Sequence, residues 1–320
     1  MRKGRSKKNN KIISTVIGLI LIILVALLGV NNNTINNLVN VSEVNTTEKT
    51  SNVAKTTNET PIEEKLSVYF IDVGQADSIL ITNKNEAMLI DAGNNEDGQD
   101  VVNFIKEKGI TKLNYVIGTH PHEDHIGGLD NVINSDLEIE NVLMPKIQTN
   151  TKTFEDVLDA IENKNLKITA PNKGDSFKIG DSNCQVMTES ILDKNNLNLS
   201  SIVIRLEYGN NSFLFMGDSE EENEKTSNWP KTDVLKVGHH GSNTSSSEAF
   251  LNQVSPNYAV IMVGKNNKYG LPKEKIIERL KNMNAQIYRT DEIGTLKITS
   301  DGNNIEVYEN TWQLARIKLK

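Results

Sequence analysis

From residue 66 onward the chain is built of short apolar runs separated by glycine, asparagine and aspartate. Runs of this length, bounded by turn residues, predict strands. They fall at 66–72, 78–82 and 87–91, and short turns between them predict an antiparallel meander. Helical spacing follows at 101–108, where Val101, Phe104 and Ile105 share one face and Gly109 supplies the stop. A buried strand through Tyr115 and Ile117 comes next. Further strands are expected at 140–144, 167–170, 175–179 and 184–188. A hairpin is expected over 201–208 and 212–216, turning at Gly209. Residues 153–163, 220–226 and 273–283 have helical patterns, while 192–199 reads as an asparagine-rich loop. Strands at 234–237, 258–263, near Ile287, 295–298 and 305–308 complete the pattern. The two halves resemble each other: each is a set of strands followed by helices, with ligand-type residues at strand ends. This predicts an α+β fold.

The first 64 residues have a different character. Residues 12–30 are uncharged and mostly apolar, long enough at 1.5 Å per residue to cross a hydrocarbon core of about 30 Å. Arg2, Lys3, Arg5, Lys7, Lys8 and Lys11 precede them. The expected arrangement is a cytoplasmic basic tail (1–11), a transmembrane helix (12–30), a disordered linker (31–64) and a folded domain (65–320) outside the cell membrane. The alternative is a cleaved signal peptide and a secreted domain.

Charge narrows the partners. The net charge is -7, and six of the basic residues lie in the first eleven positions, so the rest carries about -13. An acidic body is a poor general-purpose nucleic-acid binder, because phosphate neutralisation drives most non-specific affinity. The lone cysteine, Cys184, excludes an intrachain disulfide and reads as a small core residue.

Three of the five histidines lie within six residues, in the pattern H-x-H-x-D-H: His120, His122, Asp124 and His125. Imidazole and carboxylate suit zinc, and also manganese or iron. The alternating histidines can face one cation and the Asp-His pair a second. Two cations a few ångströms apart form a clamp for hydrolysis. Asp218 ends an apolar strand and has the right size to bridge two cations. Its competing reading is a helix N-cap. His239 and His240 also follow an apolar strand. One is expected to ligate metal and the other to contact the substrate or a ligand.

Five blocks now form an ordered set: Phe70-Ile-Asp-Val-Gly-Gln-Ala-Asp-Ser-Ile-Leu80, Leu89-Ile-Asp-Ala-Gly93, Thr119-His-Pro-His-Glu-Asp-His-Ile-Gly-Gly128, Phe215-Met-Gly-Asp218 and Val234-Leu-Lys-Val-Gly-His-His-Gly-Ser242. Together they resemble the metallo-β-lactamase superfamily, and within it the hydrolase domain of ComEC-type competence proteins and their free-standing relatives. The resemblance covers about residues 66–310. It implies an αββα sandwich with the metal site at one edge of the two sheets, and phosphodiesterase or nuclease chemistry. The chain departs from the pattern in three places. Ala76 stands where the family turn has a second glycine. There is one apolar span rather than a many-helix channel. No histidine lies between His125 and His239, where many superfamily members have one; Asn198, Ser200 and Ser201 occupy that place.

The expected cofactors are two divalent metal ions, zinc or manganese. The expected metal residues are His120, His122, Asp124, His125, Asp218 and His239, and the expected catalytic residues Asp124, Asp218 and His240. Asp124 or Asp218 is expected to take up the proton from a metal-activated water. Asp91 is placed to hold a ligating imidazole in its tautomer. Asp72 and Asp77 read as turn-shaping, and Lys236 as a solvated strand lysine. Beyond the membrane, the expected partner is DNA or a phosphorylated envelope substrate. The alternatives are a hydrolase of small or envelope-linked esters and a non-catalytic metal-binding domain.

Overall fold

The computed structural model describes residues 65–309. The basic tail, the apolar run at 12–30 and the linker at 31–64 lie outside the described residues. Among the described residues, no helix is long and apolar enough to cross a membrane.

Four layers stack as helix, sheet, sheet, helix. The first sheet grows from β1 (Leu66–Phe70), β2 (Ile79–Asn83) and β3 (Glu86–Ile90), paired antiparallel as the short turns require. The chain then crosses over through α1 (Gly98–Glu107) to β4 (Lys112–Ile117), which pairs parallel to β3. Two short helices follow, α2 (Glu123–Ile126) and α3 (Leu129–Asn134), and then β5 (Glu138–Leu143), α4 (Lys152–Asn163) and the two-residue β6 (Ile168–Thr169). The second sheet uses β7 (Ser176–Ile179), β8 (Ser182–Val186), β9 (Ile204–Tyr208) and β10 (Asn211–Phe215) as antiparallel neighbours. After α5 (Glu221–Glu224) it continues in parallel through β11 (Val234–Lys236), α6 (Glu248–Val254), β12 (Tyr258–Ile261), α7 (Glu274–Asn282) and β13 (Gln286–Arg289). Past the one-turn α8 (Thr290–Ile293), β14 (Leu296–Ser300) and β15 (Ile305–Tyr308) return to the first sheet, where β14 lies antiparallel to β1. The halves are therefore not sequential: the last of the described strands complete the first sheet.

Burial on both faces explains why the strands read as continuous apolar runs. Along β2, Ile79 and Ile81 point into the space between the sheets, while Leu80 points outward beneath the helices. Along β10, Phe213 and Phe215 fill the same inter-sheet core, and Leu214 packs toward α6 and α7. Cys184 is buried in the inter-sheet core, as expected of a small core residue.

The Gly-Gly pair after the histidines has a packing role. A Cβ on Gly128 would lie 2.4 Å from the Ala92 carbonyl oxygen and 2.6 Å from Gly98 Cα. One on Gly127 would lie 2.4 Å from backbone atoms of Asn94 and Asn95. Only glycine lets this segment lie directly against the loop that follows Asp91. Backbone cannot move aside as a side-chain tip can, so Gly128→Ala is expected to cost about 1–3 kcal/mol. A urea midpoint lowered at unchanged m reads this out. A wild-type midpoint would mean that the contact is not tight in solution.

Candidate metal centre

Parallel strands in both halves deliver their C-terminal ends to one edge of the sandwich. Asp91 follows β3, His120 and His122 follow β4, Asp218 follows β10, and His239 and His240 follow β11. Loops at such ends are where open α/β sheets gather ligands. All five histidines of the chain meet here.

Asp91 fixes the first half of the site. Its backbone is left-handed, with φ +57°, and its side chain is buried. Oδ1 accepts the Thr119 backbone N–H at 2.8 Å. Oδ2 accepts the Thr119 hydroxyl at 2.8 Å and lies 2.8 Å from His125 Nδ1. A proton on Nδ1 makes that last contact a hydrogen bond and turns His125 Nε2 into the site. His240 is fixed the same way by another partner: Nδ1 lies 2.8 Å from the Met262 carbonyl, again turning Nε2 into the site.

Those two Nε2 atoms and Asp218 Oδ1 are buried and have no hydrogen-bond partner. They face one another. Asp218 Oδ1 lies 3.3 Å from His125 Nε2 and 3.6 Å from His240 Nε2, and Asp124 Oδ2 lies 3.4 Å from His240 Nε2. Four donors held about 2.0–2.1 Å from a common centre in a tetrahedron sit roughly 3.3–3.4 Å apart. The spacing therefore fits a divalent cation, as does the donor set of two imidazole nitrogens and two carboxylates. Burial lowers both imidazoles, but the charge of Asp218, with Asp91 beside His125 and Asp77 beside His240, outweighs it and holds them above the ordinary histidine value. A cation would therefore displace a proton from each Nε2. Leaving such atoms buried and unpaired would otherwise be costly.

The other oxygen of Asp218 faces a second group. Oδ2 lies 3.9 Å from His120 Nε2 and 3.7 Å from His239 Nε2, and His120 Nε2 lies 3.0 Å from His122 Nδ1. His120 is fully buried, which pushes its pKa well below the ordinary histidine value, with help from the charge of His125. It is neutral and offers a lone pair. For Asp218, burial acts upward, but the charges of His125 and His240 outweigh it and hold the carboxyl well below its usual range. For Asp124, burial is likewise outweighed by the charges of His125 and His240.

The site corrects several sequence expectations. His239 and His240 both face Asp218, one at each of its oxygens. Both have left-handed backbones, φ +47° and +50°, and this kink sends their rings to opposite oxygens of Asp218. Consecutive non-glycine residues in this region are strained by about 1–3 kcal/mol each, which the surrounding packing must hold. His240 is the buried one and joins the unpartnered donor group; His239 lies at the rim. Lys236 is not solvated. It is fully buried, with Nζ 2.6 Å from Asp77 Oδ2. Asp77 is thus an ion-pair partner behind the site and not only a turn former. Asp72 does shape its turn, accepting the Gly74 N–H at 3.2 Å. Glu220, which the sequence reading passed over, stands 3.2 Å from His239 Nδ1. Burial raises its carboxyl, but hydrogen bonds from His239, Asn198 and Asn196 prevail and bring it to about 2.

Residues 71–265 match the family described as the metallo-beta-lactamase superfamily. The chain belongs to this superfamily. Among curated proteins it is 32% identical over 252 residues to ComE operon protein 3 of Bacillus subtilis, covering 72% of this chain and 32% of that protein. It is 29% identical over 251 residues to Recombination protein 2 of Haemophilus influenzae, covering 75% of this chain and 29% of that one. The chain thus spans about a third of the length of these relatives. The resemblance to the hydrolase domain of competence proteins holds on these matches and on one to Competence protein ComA of Neisseria gonorrhoeae. Among solved structures, CmlA of Streptomyces venezuelae, a diiron beta-hydroxylase, superposes with a TM-score of 0.51 at 13% identity, covering 75% of this chain and 55% of that one. At that identity the likeness speaks for the fold: the α+β sandwich of two sheets is the metallo-β-lactamase fold. Proteins of this superfamily are generally metal-dependent hydrolases, and the His/Asp groups described above suit divalent metals.

Proposed function

We propose that this protein is a two-cation hydrolase of phosphodiesters, a phosphodiesterase or nuclease, anchored to the cell membrane by residues 12–30 with its folded domain outside. One observation carries the chemical part: two sets of donors address opposite oxygens of a single buried carboxylate, Asp218. His120 and His122 would hold one zinc or manganese ion. Asp124, His125 and His240 would hold the other, with Asp218 between them. Cations bound there supply an acidified water and neutralise charge on the substrate's oxygens. Asp91 and Met262 orient the imidazoles. Asp124 is the carboxylate with access to the substrate side: its side chain is 31% exposed against 3% for Asp218, and it lines the pocket. On that access it is the carboxylate assigned to take up a proton from the attacking water.

The pocket above the site has a volume of about 580 Å³ and is open on one side. Lys268 and Tyr269 stand on one wall, a cation and an aromatic face suited to a phosphate and its substituent. Glu96 and Glu123 stand on another. That acidic wall favours a second reading, hydrolysis of small or envelope-linked esters, over a long polyanion. Membrane anchoring rests on the sequence alone, on the uncharged run and the basic residues before it.

The test is turnover of bis-p-nitrophenyl phosphate by the full chain, reloaded separately with zinc and with manganese, beside p-nitrophenyl acetate. Metal-dependent cleavage of the phosphodiester, lost in His120→Ala, is the expected result. Cleavage of the acetate alone, by protein shown to hold metal, would move the assignment to carbonyl esters.

A further inference from the structure

The two donor sets are unequal. The Asp124 side has two imidazoles and two carboxylates, whereas His120 and His122 bring only themselves and one oxygen of Asp218. No other histidine exists in the chain to fill the gap. Building on the two-cation reading, we infer that His239 completes the His120/His122 position and that Glu220 is the residue that positions it.

The geometry supports each half of this statement. His239 Nε2 and His120 Nε2 face the same atom, Asp218 Oδ2, at 3.7 and 3.9 Å. His240, the next residue, faces Oδ1 at 3.6 Å instead. The paired left-handed backbone conformations separate the rings, so each side of Asp218 receives one. Behind His239, Nδ1 lies 2.9 Å from Thr244 Oγ1 and 3.2 Å from Glu220 Oε1. Both oxygens accept a proton on Nδ1, which leaves the Nε2 lone pair toward Oδ2. This is the arrangement Asp91 gives His125, built from a different part of the chain.

Glu220 is itself held. Asn198 Nδ2 donates to Oε1 at 3.1 Å and Asn196 Nδ2 to Oε2 at 2.8 Å. Asn198 packs beside the His239 ring, with Nδ2 3.4 Å from both ring nitrogens, and its Oδ1 is buried without a hydrogen-bond partner. The asparagine-rich loop at 192–199 thus acts on the site through Glu220. An outer carboxylate of this kind sets ligand orientation and basicity, and its loss typically costs about 10–100-fold in metal affinity.

The test counts metal and does not rely on turnover. Full-length apoprotein is titrated with zinc by calorimetry, and bound zinc is counted by elemental analysis after desalting. Wild type is expected to take up two ions. His239→Ala and His240→Ala should each retain one. Cobalt(II) spectra of the two variants should differ, because the surviving sites have different donors. Glu220→Gln, nearly isosteric, is expected to keep both ions with one bound about 10–100-fold more weakly, and Glu220→Asp to recover part of that loss. Circular dichroism establishes that each variant is folded. Two ions held at wild-type affinity in both His239→Ala and Glu220→Gln would overturn the inference while leaving the two-cation reading intact. A wild type that binds a single ion would overturn both.

Discussion

Asp218→Asn is expected to lower phosphodiester turnover by at least about 100-fold, the upper end of what losing a mere outer partner of a metal ligand costs. Asp218 is the one described residue whose two oxygens face both donor sets. Oδ1 faces His125 and His240, and Oδ2 faces His120 and His239. Asparagine keeps the shape but replaces one oxygen with an NH2 that donates and cannot ligate. It also removes the negative charge that offsets two cations in a buried site. Whichever way the amide turns, one side loses its shared ligand. The variant should therefore hold fewer than two zinc ions at concentrations that saturate wild type, with a near-native circular dichroism spectrum. His120→Ala should impair one position and spare zinc at the other. Turnover and zinc content both at wild-type levels in Asp218→Asn would show that the carboxylate does not bridge.

How much of this was legible beforehand follows from the range over which each signal acts. H-x-H-x-D-H is readable because its donors are nearly consecutive and the strand and short helix around them fix their directions. Asp218 is readable as a carboxylate closing an apolar strand, and Asp91 as the support of an imidazole. The strand runs were readable because layers on both sides bury both faces, which makes them continuously apolar. Other features depend on backbone geometry or on distant partners. Adjacency could not divide the work of His239 and His240, because the kink that separates them leaves no mark in residue type. Glu220 opens a short helix and caps it, so on sequence it is indistinguishable from an ordinary capping acid. The helix Glu248–Val254 went unread: it is seven residues long, with two polar residues before its final valine. The return of β14 to pair with β1 leaves no local signal either, since strand partners across the whole domain share only apolar composition.

Lys236 is the sharpest case of that limit, and it carries the largest expected effect on stability. A lysine within a strand reads as solvated because an unpaired buried charge is so unfavourable. Here the compensating charge comes from Asp77, at the first turn of the domain. Lys236 Nζ lies 2.6 Å from Asp77 Oδ2 and also donates to the Val237 carbonyl at 3.0 Å. Both side chains are almost wholly inaccessible. Lys236→Met fills similar space but leaves the Asp77 carboxylate buried without its cation. Breaking one side of such a pair costs about 3–5 kcal/mol. For a domain of this size that corresponds to a melting temperature lower by roughly 10 °C. Replacing both partners, Lys236→Met with Asp77→Leu, removes the stranded charge as well and should recover most of the loss, a strong coupling in a double-mutant cycle. The double variant need not recover turnover. Asp77 Oδ1 lies 3.4 Å from His240 Nδ1, so the pair also backs the imidazole whose Nε2 faces Asp218. Thermal and urea melts of the metal-free proteins separate the two effects from each other and from stabilisation by bound metal. A Lys236→Met protein that melts within a degree or two of wild type would mean that the pair does not hold the two sheets' site edges together.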